Sequence, residues 1–289
     1  MRIYIGGGNY KKDIMRIYLA GGVTGNLYPL WKEFISNGKD ADKAMKVFLA
    51  GTEHGLSMYI NPLKIHQDVS VLESFYYIDK ESEKYVPLYK DYILDSGAFT
   101  FFSSGKHIDW DSYLRQYAEY ITRCKIDKFF ELDIDKLVGR EKVIEMTKRL
   151  EIMTGKKPIP VWHKFRGLDD FHKMCQEYPY VAIGGIVSRE IKPKEYNYLP
   201  TLVKIAHDYG CKIHGLGFTK INLLNRIHWD SVDSTAWTTG NRFGFVYKFK
   251  NGKMVKYNAP KGYGVNGRIT AINNFIEWVK FQAWAEEYL

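Results

Sequence analysis

The chain is poor in cysteine. Cys124, Cys175 and Cys211 are the only three in 289 residues. They lie far apart, and none falls in a CxxC or Cys/His spacing, so neither a disulfide framework nor a zinc cluster is written here. A sparse, odd set of thiols fits a reducing compartment, and cytoplasmic localisation is the expectation. No apolar run approaches the ~18 residues of a membrane helix, so no membrane association is expected. The opening MRIYIGGGNYKKD lacks the apolar stretch of a secretory leader. Blocks of like charge are missing too. Lys plus Arg number 42 against 33 Asp plus Glu, and the net charge of +9 is spread out. A polyanion partner and an ordinary solvated basic surface are equally compatible with that. With 45% hydrophobic and 26% charged residues, wholesale disorder and fibrous repeats are excluded.

What is present is an alternation. Short apolar runs occur at 16–20, 46–50, 73–78, 92–95, 129–133, 159–163, 180–184, 212–215 and 230–234. Near-continuous runs of this kind suit strands buried on both faces. Helix-period stretches lie between the later ones, at 108–124, 142–153, 168–177 and 196–209, with Asp109 or Asp111 as the cap of the first. Strand–helix alternation implies parallel βα units. The expected fold is an α/β, (β/α)8 TIM-like barrel in a single domain over 1–289. Nine candidate strands exceed eight by one, so one of the first three lies outside the barrel. Residues 1–45 read as an extension or first strand. Residues 240–289 read as an appended hairpin, over 243–263 with Asn251-Gly252 at its turn, and a helix over 269–288.

In such barrels the chemistry sits at the carboxyl ends of the strands. Those ends carry Asp95, Asp133, His163, Gly184-Gly185, Gly215-Leu216-Gly217 and Asp233. One Asp at a strand end is more often a helix cap, but three with Gly pairs between them point to a site. In Asp95-Ser96-Gly97-Ala98-Phe99 the small residues let a flat ligand approach the backbone, with Phe99 able to stack on it. Asp230 and Asp233 point to opposite faces of one strand, so only one faces the interior. His163 is balanced between a core histidine and a ligand contact, and His214 reads as structural. Trp162 and Trp237 read as packing, and Arg242 is as readily a loop residue as a phosphate contact.

These motifs resemble the tRNA-guanine transglycosylase superfamily, most of all its phage and bacterial branch, which inserts 7-deazaguanines into DNA. The family's Asp-Ser-Gly-Gly-Phe/Tyr-Gln reads here as Asp95-Ser96-Gly97-Ala98-Phe99-Thr100. Its nucleophile segment matches Asp230–Ser234, with Asp233 in the nucleophile's place. Its base-recognising Asp matches Asp133, and its Gly-Gly strand end matches Gly184-Gly185-Ile186. The order holds from about Ser74 to Trp237. Thr100 and His163 stand where the family has Gln, and no cysteine follows Cys211, so the tRNA enzymes' zinc subdomain is missing. The resemblance implies base exchange without a cofactor or metal. Asp233 attacks C1′ and Asp95 is the acid/base. Asp133, Gly184 and Gly185 hold the base, with Ser96, Gly97, Phe99, His163 and Gly215 lining its site. The implied partners are DNA and a free 7-deazaguanine base, in the host cytoplasm if the chain is phage-encoded. A queuine- or archaeosine-type tRNA enzyme, a barrel hydrolase of nucleosides or sugars, and a non-catalytic binding subunit are the alternatives. A homodimer or a separate partner protein stays open.

Overall fold

The computed structural model describes residues 3–4, 14–15, 18–19, 45–50, 68–98, 100–101, 108–218, 220–260 and 264–289. The chain divides into two compact units, 47–234 and 1–46 with 235–289.

The unit 47–234 is built on a curled, parallel, seven-stranded sheet. Its strands are β1 (Lys46–Ala50), β2 (Ser70–Ser74), β3 (Asp91–Asp95), β4 (Val161–Trp162), β5 (Tyr180–Ile183), β6 (Lys212–Gly215) and β7 (Ser231–Ser234). Their order across the sheet is β3-β2-β1-β7-β6-β5-β4. Around them lie α1 (Trp110–Arg123), α2 (Arg140–Thr154), α3 (Gly167–Glu177), α4 (Leu199–Asp208) and α5 (Ile221–Ile227). Asp109 caps α1, its Oδ1 accepting from the N–H groups of Asp111 and Ser112 at 3.1 Å.

Alternation along the strands sorts the core. Phe48, Ala50, Leu72, Ile93, Phe130, Ile159, Val161 and Ala182 pack together on one face. Leu94 and Phe129, their immediate neighbours in sequence, turn the other way onto Leu114, Tyr117 and Ile121 of α1 and Val143, Met146 and Leu150 of α2. The first face runs on, two residues later, into Asp95, His163 and Gly184. The fold thereby delivers polar strand ends onto one apolar floor.

Two expected strands come out differently. The run 129–133 contributes only two bridges, Leu94↔Phe129 and Phe130↔Ile159, which lie between edge strands β3 and β4. They carry bonds from Leu94 N to Lys128 O at 3.0 Å and from Ile159 N to Phe129 O at 2.7 Å. Past Glu131 the chain bends, with Ile134 N bonded to Leu132 O at 2.9 Å, and enters the helical turn Asp135–Val138. The run 73–78 is displaced: the strand is Ser70–Ser74, and Phe75–Tyr77 form a turn. Phe75 sits 5.4, 5.2 and 5.5 Å from the rings of Tyr113, Tyr117 and Tyr120. Aromatic packing on α1 overrides the β-propensity of the run. Of the expected strand 16–20, Tyr18 and Leu19 pair antiparallel with Ile3 and Tyr4, apart from the seven-stranded sheet.

In the other unit, β8 (Phe245–Lys250) and β9 (Lys253–Asn258) form the expected hairpin. Asn251 and Gly252 turn it with φ of 50° and 72°, the two positive angles that a tight hairpin turn demands. The last helix, α6 (Gly267–Tyr288), is capped by Asn266 and packs on β8. No helix of the described residues is long and apolar enough to cross a membrane.

Candidate active site

Asp95 closes β3. Gly97 follows with a φ of +76°, which turns its N–H back onto Asp95 Oδ2 at 2.9 Å. A Cβ at 97 would lie 2.6 Å from Tyr76 Cβ, so both backbone angle and space require glycine. Ser96 is fully buried, and its carbonyl accepts from the Tyr113 hydroxyl at 2.6 Å. Burial pushes the Asp95 carboxyl up to about 6. The Gly97 bond opposes that, the charges of Asp133 and Asp233 add to it, and the Ser74 hydroxyl opposes it again. Asp133 and Asp233 thus both lie near enough for their charges to reach Asp95.

A raised carboxyl makes stability depend on pH. The folded state holds the Asp95 proton up to about pH 6, the unfolded chain only to its ordinary 3.8. Stability from this group is complete below the unfolded value and is lost as pH rises between the two. Asp95→Asn, which cannot ionise, is expected to be more stable than the wild type at pH 8, by up to about 3 kcal/mol. The gap should shrink towards pH 4 in urea unfolding curves. A gap that stays constant with pH would show that Asp95 carries its charge at no cost.

Asp133 and His163 form the second element. His163 Nε2 lies 2.8 Å from Asp133 Oδ1, and its Nδ1 lies 3.2 Å from Glu190 Oε2. Burial works against protonating this ring. The Asp133 hydrogen bond and the charges of Asp133 and Glu190 outweigh it, so His163 titrates above its ordinary value. The imidazole is thus a clasp between two carboxylates that favour its protonated form. Its ring stacks on Phe165 at 5.4 Å, and Lys136 Nζ lies 3.4 Å from Glu190. Gly184 makes room for the clasp, since a Cβ there would stand 2.8 Å from His163 Cε1. Gly185, at a φ of +80°, turns the chain so that Glu190 comes back beside it.

Below this pair lies a buried ion cluster. Arg166 Nη1 binds Glu131 Oε1 at 3.2 Å, and Nη2 binds Asp135. Glu131 also accepts from Val161 N and the Thr147 hydroxyl, each at 2.9 Å. All three charged side chains are at most 3% exposed.

Asp233 stands on β7. Its Oδ1 accepts from Gly217 N at 2.6 Å and lies 3.3 Å from His214 Nε2. Gly217, at a φ of +66°, is what aims that N–H. Asp230 turns away to the Ile213 N–H and His207, at 2.8 and 2.9 Å, in a structural role. Gly215 sits against Trp229 and Phe218, where a Cβ would approach to 3.0 and 3.1 Å. Trp162 is buried, with its Nε1 bonded to Gly167 O at 2.8 Å. Phe99 and the Arg242 side chain lie outside the described residues.

The structure thus gathers Asp95, Asp133, His163, Gly184, Gly185 and Asp233. It includes Gly217 of the expected Gly215-Leu216-Gly217 strand end, adds Glu190, to which no motif pointed, and gives His214 a polar partner in Asp233. Gly217 was visible as the second glycine of Gly-Leu-Gly. Glu190 carried no signal, because an acid in Val187-Ser188-Arg189-Glu190 looks like any loop residue. Among the described residues, no group of three or more His, Cys, Asp or Glu side chains is arranged to hold a metal ion. No protein-family model and no curated protein matches this chain.

Proposed function

We propose that this chain is a base-exchange transglycosylase that replaces guanine in DNA with a 7-deazaguanine. The observation that carries the reading is the set of anchored carboxylates, Asp95 held by Gly97, Asp133 by His163 and Asp233 by Gly217, with the charges of the latter two reaching Asp95. The two bridges between β3 and β4 support closure of the sheet into a (β/α)8 barrel, with 129–130 as its short eighth stave.

In the first half-reaction Asp233 attacks C1′ of the target nucleotide. The C1′–N9 bond breaks, its electron pair leaves with guanine, and Asp95 gives its proton to the departing base. A covalent glycosyl-aspartate remains. In the second half Asp95 takes the N9 proton of the incoming 7-deazaguanine. N9 then bonds to C1′ and releases Asp233. A carboxyl with its midpoint near 6 can do both at near-neutral pH. Asp133 accepts from N1–H and the exocyclic amine of the base, donors that adenine does not offer on that edge. His163 occupies one Asp133 oxygen and fixes the direction of the other. The Gly185 N–H suits the base carbonyl, whereas the Gly184 N–H, expected to share that task, is already donated to Trp162 O at 2.9 Å. The nucleotide has to leave its stack to reach these groups.

The test is incorporation of radiolabelled guanine and 7-deazaguanine bases into duplex DNA, single-stranded DNA and bulk tRNA. Label in DNA alone is the expected result. Label in tRNA alone keeps the chemistry and changes the polymer. Release of base without uptake of label would favour a hydrolase, which the same two carboxylates could serve.

A further inference from the structure

His214 has no part in the reaction just described, yet its surroundings are unusual for a packing histidine. It is wholly buried, with Phe48 and Phe130 at 6.2 and 5.4 Å and the Tyr180 ring edge-on at 6.5 Å. Both ring nitrogens are used. Nδ1 bonds to Ser231 Oγ, and that oxygen is bonded by the Tyr180 hydroxyl. Nε2 faces Asp233 Oδ1 at 3.3 Å.

The donor inventory orders this chain. A carboxylate only accepts, so the hydrogen between His214 and Asp233 belongs to Nε2. An imidazole enclosed by aromatic rings leaves Nδ1 as an acceptor, and the Ser231 hydroxyl donates to it. The Ser231 oxygen accepts from Tyr180 in turn. Each group thereby fixes the next, from Tyr180 through Ser231 and His214 to Asp233. Among the described residues, the hydrogen bonds received by Asp233, from His214 and Gly217, both fall on Oδ1. Oδ2 is the oxygen left for a substrate.

We propose that His214 is a positioning residue for Asp233. Held as the Nε2–H tautomer by Ser231 and Tyr180, it binds Oδ1 and turns Oδ2 towards the sugar carbon. This deepens the transglycosylase reading and rests on Asp233 as the nucleophile. A merely structural histidine would fill the same space but would not have to carry its hydrogen on Nε2.

The experiment has two arms. The first is ¹⁵N NMR of the imidazoles in the full chain, with the His214 signal assigned by its loss in His214→Phe. The expected pattern is a protonated Nε2 and an unprotonated, hydrogen-bonded Nδ1. Ser231→Ala should remove the Nδ1 shift characteristic of that bond. A His214 ring protonated on Nδ1 overturns the proposal, whether or not the chain proves active. The second arm is single-turnover adduct formation on DNA. His214→Phe should slow the covalent step about 10- to 100-fold, the value of a hydrogen bond to a charged acceptor, and leave KM for DNA nearly unchanged. His214→Gln, whose amide can donate from the same place, should recover part of the rate. Should the Phe variant fail to fold, Ser231→Ala takes its place and should slow the same step. Wild-type adduct with equal rates in all variants overturns the proposal and leaves the transglycosylase reading standing. No wild-type adduct removes that reading, and the proposal for Asp233 chemistry with it.

Discussion

Asp233→Ala is expected to lower base exchange by about 10⁴-fold or more and to abolish the covalent protein–DNA species, since no second group supplies the lost nucleophile. The adduct is read on a denaturing gel after mixing excess enzyme with labelled DNA, and its attachment site by mass spectrometry of the digested protein. Asp95→Asn should differ in kind. It retains a nucleophile but has no proton to give guanine, so adduct formation should be slow and should improve with a base whose anion leaves more readily. Only Asp233 stands on β7 with its Oδ1 anchored by a backbone N–H. Full activity in Asp233→Ala would move the nucleophile elsewhere and end the proposed mechanism. The fold should survive, because the change leaves only two donors without a partner, the Gly217 N–H and His214 Nε2, while His214 keeps its bond to Ser231.

Removing Arg166 should have the largest effect on stability. Its guanidinium faces Glu131 and Asp135 with almost no exposure of any of the three. Arg166→Met leaves two carboxylates facing each other away from water, and breaking a buried pair in this way costs about 3–5 kcal/mol. Burial already holds the Glu131 carboxyl above its usual range, with Arg166 the largest opposing influence. Part of the loss should therefore be relieved at low pH, where the acids take up protons. The informative comparison is Arg166→Met combined with Glu131→Gln and Asp135→Asn. That variant carries no charge at this cluster and should recover most of the stability in urea unfolding. A triple variant as unstable as the single one would show that the cluster acts through shape rather than charge.

Much of the site was legible because strand ends announce themselves. An apolar run that finishes in Asp, His or Gly-Gly gives both the strand and the residue at its mouth, as Asp95, His163 and Gly184 illustrate. The place where a run stops was harder to read. Ser-Val-Leu-Glu-Ser is a better strand than Phe-Tyr-Tyr only because Phe75 has the rings of α1 to pack against, and that contact is 38 residues away at Tyr113. The same limit hid Glu190 and the part played by His214. Glu190 reaches His163 only because Gly185 turns its loop back, and His214 acquires a polar role from Ser231 and Asp233 on a neighbouring strand. Propensity is local, whereas these partners are supplied by the fold.

The close approach of Gly184 to His163 has a consequence for how this protein can change. No side chain fits at 184 while the imidazole stays where it is, because even a methyl group would stand 2.8 Å from the ring. Replacing His163 with a smaller residue would not by itself open the position, because Val161 Cγ1 would stand 2.9 Å from the same methyl group. Positions 161, 163 and 184 behave as one compound character, in which the sizes of the first two license the identity of the third. A lineage of this chain can give up the glycine only after both the imidazole and the Val161 side chain have given way.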